Sequence, residues 1–267
     1  MENLDVSVIL PVESYMHKNF EELFTASIQS IQNQTVAPAE LVLVHSDEEK
    51  LVSYLTNFDF SGLTVNLVEN KGKTDFATQM NLGVENAKSK WVSFLEFDDE
   101  YASIWFKNVK RFVEAYPDYE GFLSLVVDVD NKGAFAGFTN EATFAASMNT
   151  EIGILTNEVL LNYQNFQSSG MVIKKETYQD LGGFKPSMKL TFVYEFLLRL
   201  TYNSAKIMTI PRIGYKHVNL REGSIFWNYK NGEQRVSDNE VKFWLDAAKK
   251  EHFFVEDRNI KYEPSEV

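Results

Sequence analysis

Trp91-Val92-Ser93-Phe94-Leu95 runs directly into Glu96-Phe97-Asp98-Asp99-Glu100. The first half reads as a buried strand, and the second half places four carboxylates where that strand stops. In an open α/β sheet, ligands bind beyond the carboxyl ends of the strands. Carboxylates crowded there repel one another unless a cation or a set of donors meets them. Mg2+ or Mn2+ holding a diphosphate fits, because those ions prefer hard oxygen ligands.

Apolar runs and helical stripes alternate on either side of this stretch. Residues 6–12 form a strand. Asn19 and Glu22 follow in capping-box spacing, ahead of a helical stripe of Phe20, Leu23, Phe24, Ile28 and Ile31. Strands over 40–44 and 64–68 and helices over 48–57, 75–88 and 104–116 complete four strand–helix repeats. That order predicts an α/β fold, a mostly parallel sheet with helices on both faces. A strand over 121–130 leads into the turn Asp130-Asn131-Lys132-Gly133, so a hairpin is expected. Residues 134–167 are irregular, aromatic and rich in Asn and Thr, as binding loops are. A strand over 170–173 precedes a helix over 175–181 that Gly182-Gly183 stops. A helix over 190–203 is followed by an edge strand over 206–210 that ends before Pro211. Ser237 and Glu240 open a last helix whose apolar face carries Val241, Trp244, Leu245 and Ala248, and a polar tail follows from Glu256.

The chain has 267 residues, is 44% apolar and carries a net charge of −12. That size allows one large α/β domain or two small ones. The charge disfavours nucleic acid and anionic membrane as partners. Cysteine is absent, which excludes disulfides, thiolate zinc sites and cysteine nucleophiles. There is no basic-then-apolar leader and no apolar run near the ~20 residues of a membrane helix. A soluble, cytoplasmic protein is expected.

Six segments carry a resemblance when taken in order. They are residues 6–12 with Ser27-Ile28-Gln29-Ser30-Ile31-Gln32-Asn33-Gln34-Thr35; Glu40-Leu41-Val42-Leu43-Val44 with His45-Ser46-Asp47-Glu48; Asn70-Lys71-Gly72 with Asn81-Leu82-Gly83; Glu96-Phe97-Asp98-Asp99; Ser168-Ser169-Gly170 through Leu181-Gly182-Gly183-Phe184; and Ile210-Pro211-Arg212-Ile213-Gly214-Tyr215-Lys216-His217 with Arg221 and Ser224. Over roughly residues 5–225 the chain resembles the family 2 glycosyltransferases, which have the GT-A nucleotide-diphospho-sugar transferase fold. The resemblance implies a Rossmann-like GT-A domain over 1–225, with a nucleotide-sugar half at about 1–120 and an acceptor half at about 121–225. A helical extension over 226–267 follows.

The resemblance also implies roles. Pro11 and Glu13, at and after the end of the first strand, fall where the family touches base and ribose; Glu13 either accepts from ribose hydroxyls or is simply solvated. The family reads the base with an aspartate where this chain has His45, so Asp47 or Ser46 takes that part, or Asp47 caps the next helix. Lys71 and Lys73 fall beside the nucleotide. Asn81, polar in a helical pattern, points to a buried hydrogen bond near the sheet end. Asp98 is expected on a Mn2+ or Mg2+ ion that bridges the donor phosphates, with Glu96 facing the ribose or a metal-bound water. Asp99 supports them from behind or caps a helix. Lys216, His217 and Arg221 would neutralise the leaving phosphate, and His217 would join the metal.

The family's catalytic base falls on Phe192-Val193, and neither side chain can move a proton. Glu195 is the nearest carboxylate. It is either the base or the i,i+4 partner of Arg199. Phe138, Phe144, Tyr163, Phe166, Phe226 and Trp227 stack on sugar rings or are core. The implied activity is an inverting, metal-dependent transfer of a sugar from a nucleotide-diphospho-sugar, UDP-sugars first, to a saccharide or other glycan-pathway hydroxyl. The alternative is a catalytically impaired protein of the same fold that binds sugar nucleotide or a glycan-assembly partner. A nucleotidyltransferase ranks last, since residues 13–18 do not form the Gly-rich basic loop that a triphosphate needs.

Overall fold

The structure is a computed structural model describing residues 3–72, 75–130, 132–143, 153–219 and 235–255, together with 221–222, 224, 227–228 and 231–232. Lys73, Phe144, Phe226 and the tail from residue 256 lie outside the described residues.

Alternating strands and helices build the first half: β1 (Asn3–Val12), α1 (Phe20–Gln32), β2 (Ala37–His45), α2 (Glu49–Asn57), β3 (Val65–Glu69), α3 (Phe76–Asn86), β4 (Trp91–Phe94), the two-residue β5 (Glu100–Tyr101) and α4 (Trp105–Ala115). The second half contains β6 (Gly121–Val129), β7 (Phe135–Thr139), β8 (Gly153–Leu155), α5 (Asn157–Asn162), β9 (Val172–Lys174), α6 (Lys175–Asp180), a 3-10 turn (Pro186–Thr191), α7 (Phe192–Tyr202), β10 (Ile207–Val218) and α8 (Asp238–Glu251).

The strands form one sheet in the order β3-β2-β1-β4-β9-β6-β10-β5, with β7 on β6 and β8 on β10. β1, β2, β3 and β4 are mutually parallel. β9 runs antiparallel between β4 and β6, and β10 is parallel to β6. β1 is buried on both faces, as an apolar run in a covered parallel sheet should be. Val6, Val8, Leu10 and Val12 pack with Phe24, Ile28, Trp105 and Phe106 from α1 and α4. Ile9 faces the other way, with Met80, Val84, Phe196 and Leu197 from α3 and α7. Gly83 lets α3 lie against the sheet, since a Cβ there would meet Ile9 Cγ2 at 2.3 Å.

Two local expectations change. Asn19 does not cap α1 with its side chain. It takes a left-handed φ of 58°, and the Phe20 amide donates to the His17 carbonyl at 3.1 Å. The strand expected to stop at Pro211 as a sheet edge instead runs on to Val218. It lies between β6 on one side and β8 and β5 on the other. Proline has no N–H to give to a ladder, so inside a sheet it is confined to edges and bulges; Pro211 falls in the register shift between Ile210 and Ile213. Asp75 and Ser237 do cap α3 and α8, accepting from the Thr78 and Glu240 amides. Among the described residues no helix is long and apolar enough to cross a membrane.

Candidate functional site

The acidic run lies at the carboxyl end of β4, and the sheet brings basic residues to it. After β4 the chain turns, with the Asp99 amide donating to the Glu96 carbonyl at 3.1 Å. It then forms β5 against β10, with Tyr101 opposite Tyr215 and Glu100 opposite Lys216. This register sets partners in order. Lys216 pairs with Glu100. His217 Nδ1 lies 2.8 Å from Asp99 Oδ2, while the Val218 amide donates to Asp99 Oδ1 at 2.9 Å. Arg221 Nε donates to Asp98 Oδ2 at 2.5 Å. The Glu96 amide donates to the Tyr215 hydroxyl at 3.0 Å, and its carboxyl accepts from Ser169 Oγ at 3.4 Å.

The electrostatics follow from this crowding. Burial, then the charge of Asp99, pushes the Glu96 carboxyl up to about 8. Burial and Asp99 likewise raise Asp98, against the pull of Arg221. Burial disfavours a charge on His217, but Asp99, Glu96 and Asp128 outweigh it and lift the imidazole to about 10.

Glu96, Asp99 and His217 offer ligand atoms that all lie within 4.8 Å of one another. Two carboxylates and an imidazole suit a divalent ion of the Mn2+ kind. His217, expected to join the metal, falls within this group. Asp98, expected on the metal, is instead drawn to Arg221, and Asp99 takes its place in the converging group. The register of β5 explains the swap: Asp99, next to Glu100, faces His217, while Asp98 is turned to the loop beyond β10.

On the nucleotide side, Pro11 is buried near the end of β1 opposite Val44. Glu13 follows that strand, exposed over the residue as a whole, while partial burial of its carboxyl end raises its pKa. Ser14 Oγ and the Tyr15 amide donate to Glu48 at 2.7 and 3.0 Å, so Glu48 shapes this loop, which sequence reasoning missed. His17 stacks on Phe97 at 4.8 Å between ring centroids, and the Arg221 guanidinium lies 5.0 Å from the same ring. Two loops distant in sequence thus meet on Phe97. His45 is buried, with Nδ1 2.8 Å from the Ser46 carbonyl. Ser46 Oγ is buried without a partner among the described residues, whereas Asp47 is exposed and does not cap α2, whose N-cap is Glu48. Lys71 is 79% exposed and 3.7 Å from Glu69.

Two expected site residues are structural. Asn81 is buried. It donates to the Phe184 carbonyl at 2.8 Å and accepts from the Tyr178 hydroxyl and the Phe184 amide at 2.6 and 3.0 Å. Its carbonyl and amide are committed to tying α3 to the turn at Gly182-Gly183, where φ is +78° and +59°, so it is not free for a nucleotide. Glu195 is fully buried on α7. Arg199 Nε and Nη2 donate to its two oxygens at 2.9 and 2.7 Å, and Lys185 Nζ lies 3.0 Å away. A carboxylate sealed between two cations has no path to an acceptor hydroxyl, so the base assignment is corrected to an ion pair. The i,i+4 spacing to Arg199 carried that signal; the hold of Lys185 had none. Of the aromatics, Phe166 is core, whereas Phe138 and Tyr163 are 43% and 45% exposed.

A family model described as glycosyl transferase family 2 matches residues 7–151. An uncharacterized glycosyltransferase of Haemophilus influenzae is 24% identical over 196 residues, 73% of this chain and 61% of that protein. The amylovoran biosynthesis glycosyltransferase AmsB of Erwinia amylovora is 27% identical over 104 residues, 38% of this chain and 33% of its own length. The chain therefore spans less than two thirds of these relatives. Crystal structures of S. aureus TarS 1-349 with UDP and with UDP-GlcNAc superpose with TM-scores of 0.63 and 0.64 at 17% identity, covering 95% of this chain and 72% and 73% of theirs. That likeness shows a shared fold. The family model takes in β1 through β7 and the whole acidic turn, more than half of the sequence, and the chain belongs to glycosyl transferase family 2.

Proposed function

We propose that this chain moves a sugar from a nucleotide-diphospho-sugar to a hydroxyl of a saccharide or other glycan-pathway acceptor. UDP-sugars are the favoured donors, inversion the expected stereochemistry, and Mn2+ or Mg2+ the metal. The observation that carries this reading is the meeting of Glu96, Asp99 and His217 beside Lys216 and Arg221 at the carboxyl end of a parallel sheet. Glu96, Asp99 and His217 would hold the ion. When bound, a divalent ion stabilises the charge that develops on a departing diphosphate. Arg221 and Lys216 offer that same charge preorganised donors. Glu13 and the loop to His17 would receive the ribose and base. TarS, solved with UDP and with UDP-GlcNAc, supports UDP as the nucleotide, and AmsB supports a role in polysaccharide assembly.

The sealing of Glu195 favours a second reading, in which the chain binds sugar nucleotide without transferring it. Incubation with a panel of UDP-sugars and acceptors separates the two, with release of UDP followed and the product anomer read by NMR. The transferase reading expects Mn2+-stimulated release and an inverted anomer. UDP that binds but is never released from any donor, at any acceptor, would leave the second reading standing.

A further inference from the structure

Asp128 lies near the end of β6, directly opposite His217 in the parallel pairing of β6 with β10. Residues opposite each other on neighbouring strands share a face and sit about 5 Å apart. His217 is thus flanked by two carboxylates, Asp99 at its Nδ1 and Asp128 across the strand pair. Thr139 on β7 donates from Oγ1 to Asp128 Oδ2 at 2.7 Å and fixes that oxygen. The other oxygen, Oδ1, is buried and has no partner among the described residues, in a residue only 7% exposed. An unsatisfied buried acceptor is costly. Burial raises the Asp128 carboxyl, while the Thr139 bond and the His217 charge pull it back.

The charge balance points the same way. Lys216 and Arg221 are engaged by Glu100 and Asp98. Among the described residues, Glu96, Asp99 and Asp128 are left to one histidine, a group short of positive charge.

We propose that Asp128 belongs to the centre formed by Glu96, Asp99 and His217, with Oδ1 as the acceptor for a divalent cation or for a water bound to it. This rests on reading that centre as a cation site. Thr139 is then the residue that positions Asp128.

Mn2+ binding to the 267-residue chain, followed by electron paramagnetic resonance with and without UDP, tests this without turnover. Asp128→Asn should weaken Mn2+ binding about 10- to 100-fold. Equal Mn2+ affinity in the folded variant overturns the proposal. If Asp128→Asn does not fold, Thr139→Val keeps the carboxylate but frees it; a few-fold weaker Mn2+ site supports the proposal and an unchanged one overturns it. A wild-type protein that binds UDP but no Mn2+ overturns this inference while leaving the donor-binding reading intact.

Discussion

At the carboxyl edge of the sheet, Glu96, Asp98, Asp99 and Glu100 face Lys216, His217 and Arg221 across a strand pair. Against the helical face, a single Glu195 is gripped by Arg199 and Lys185. Both clusters join acidic to basic side chains, but their balance differs. The helical one is fully buried and over-supplied with cations, and Arg199 is further fixed by the Leu181 and Gly183 carbonyls. The sheet-edge one is short of positive charge, and burial together with the charge of Asp99 pushes Glu96 and Asp98 up. A surplus of partners makes a brace, whereas a shortage leaves groups ready for a ligand.

The largest test of this contrast is Glu195→Gln. Breaking a buried pair from one side costs about 3–5 kcal/mol, so urea unfolding should shift by that much. Full stability with lost turnover would return Glu195 to the chemistry. The next is Asp99→Asn, which removes the charge that holds His217. It should lower Mn2+-dependent UDP release about 100-fold, with a smaller loss of stability than Glu195→Gln; activity within a few-fold of wild type would dissolve the proposed centre.

Much of the sheet was legible because Val- and Ile-rich runs admit few other states. Residues 6–12, 40–44 and 91–95 fall within or nearly on β1, β2 and β4. β10 was cut short at Pro211 because a local rule forbids proline in a ladder, and only the three-dimensional register shows the bulge that accommodates it. The acidic run was legible as charge, but its partners were not. The order 98 with 221, 99 with 217 and 100 with 216 depends on β5, two residues long and without a pattern of its own. Asn81 announced a buried hydrogen bond correctly, yet nothing in sequence could show that its partner was Phe184.

Acidity sharpens the contrast further. The His217 pKa is raised in the fold, so its contribution is fully present below about 6.5 and lost as pH rises through about 10. Glu96 is also raised, so its contribution fades from 4.5 through about 8. In chelator, the melting temperature should therefore decline from mildly acid to alkaline pH. His217→Gln should flatten the part above pH ~6.5, and parallel curves for the two proteins would refute the assignment. The smallest effect is expected for Lys216→Ala. Its pair with Glu100 is about two-fifths exposed on both sides, and such pairs contribute below about 1 kcal/mol. A larger shift in urea unfolding would mean that the outermost pair is part of the brace.

The meeting of His217 and Arg221 with Asp99 and Asp98 also bears on how the protein matures. Small metal domains that depend on their ion for neutrality stay unfolded until it arrives. Here the chain brings counter-ions of its own from β10 and the loop beyond it, so folding need not wait for cargo. On the proposed reading of this centre as a cation site, synthesis and loading become separable events, and protein made without the ion would be folded and waiting rather than misfolded.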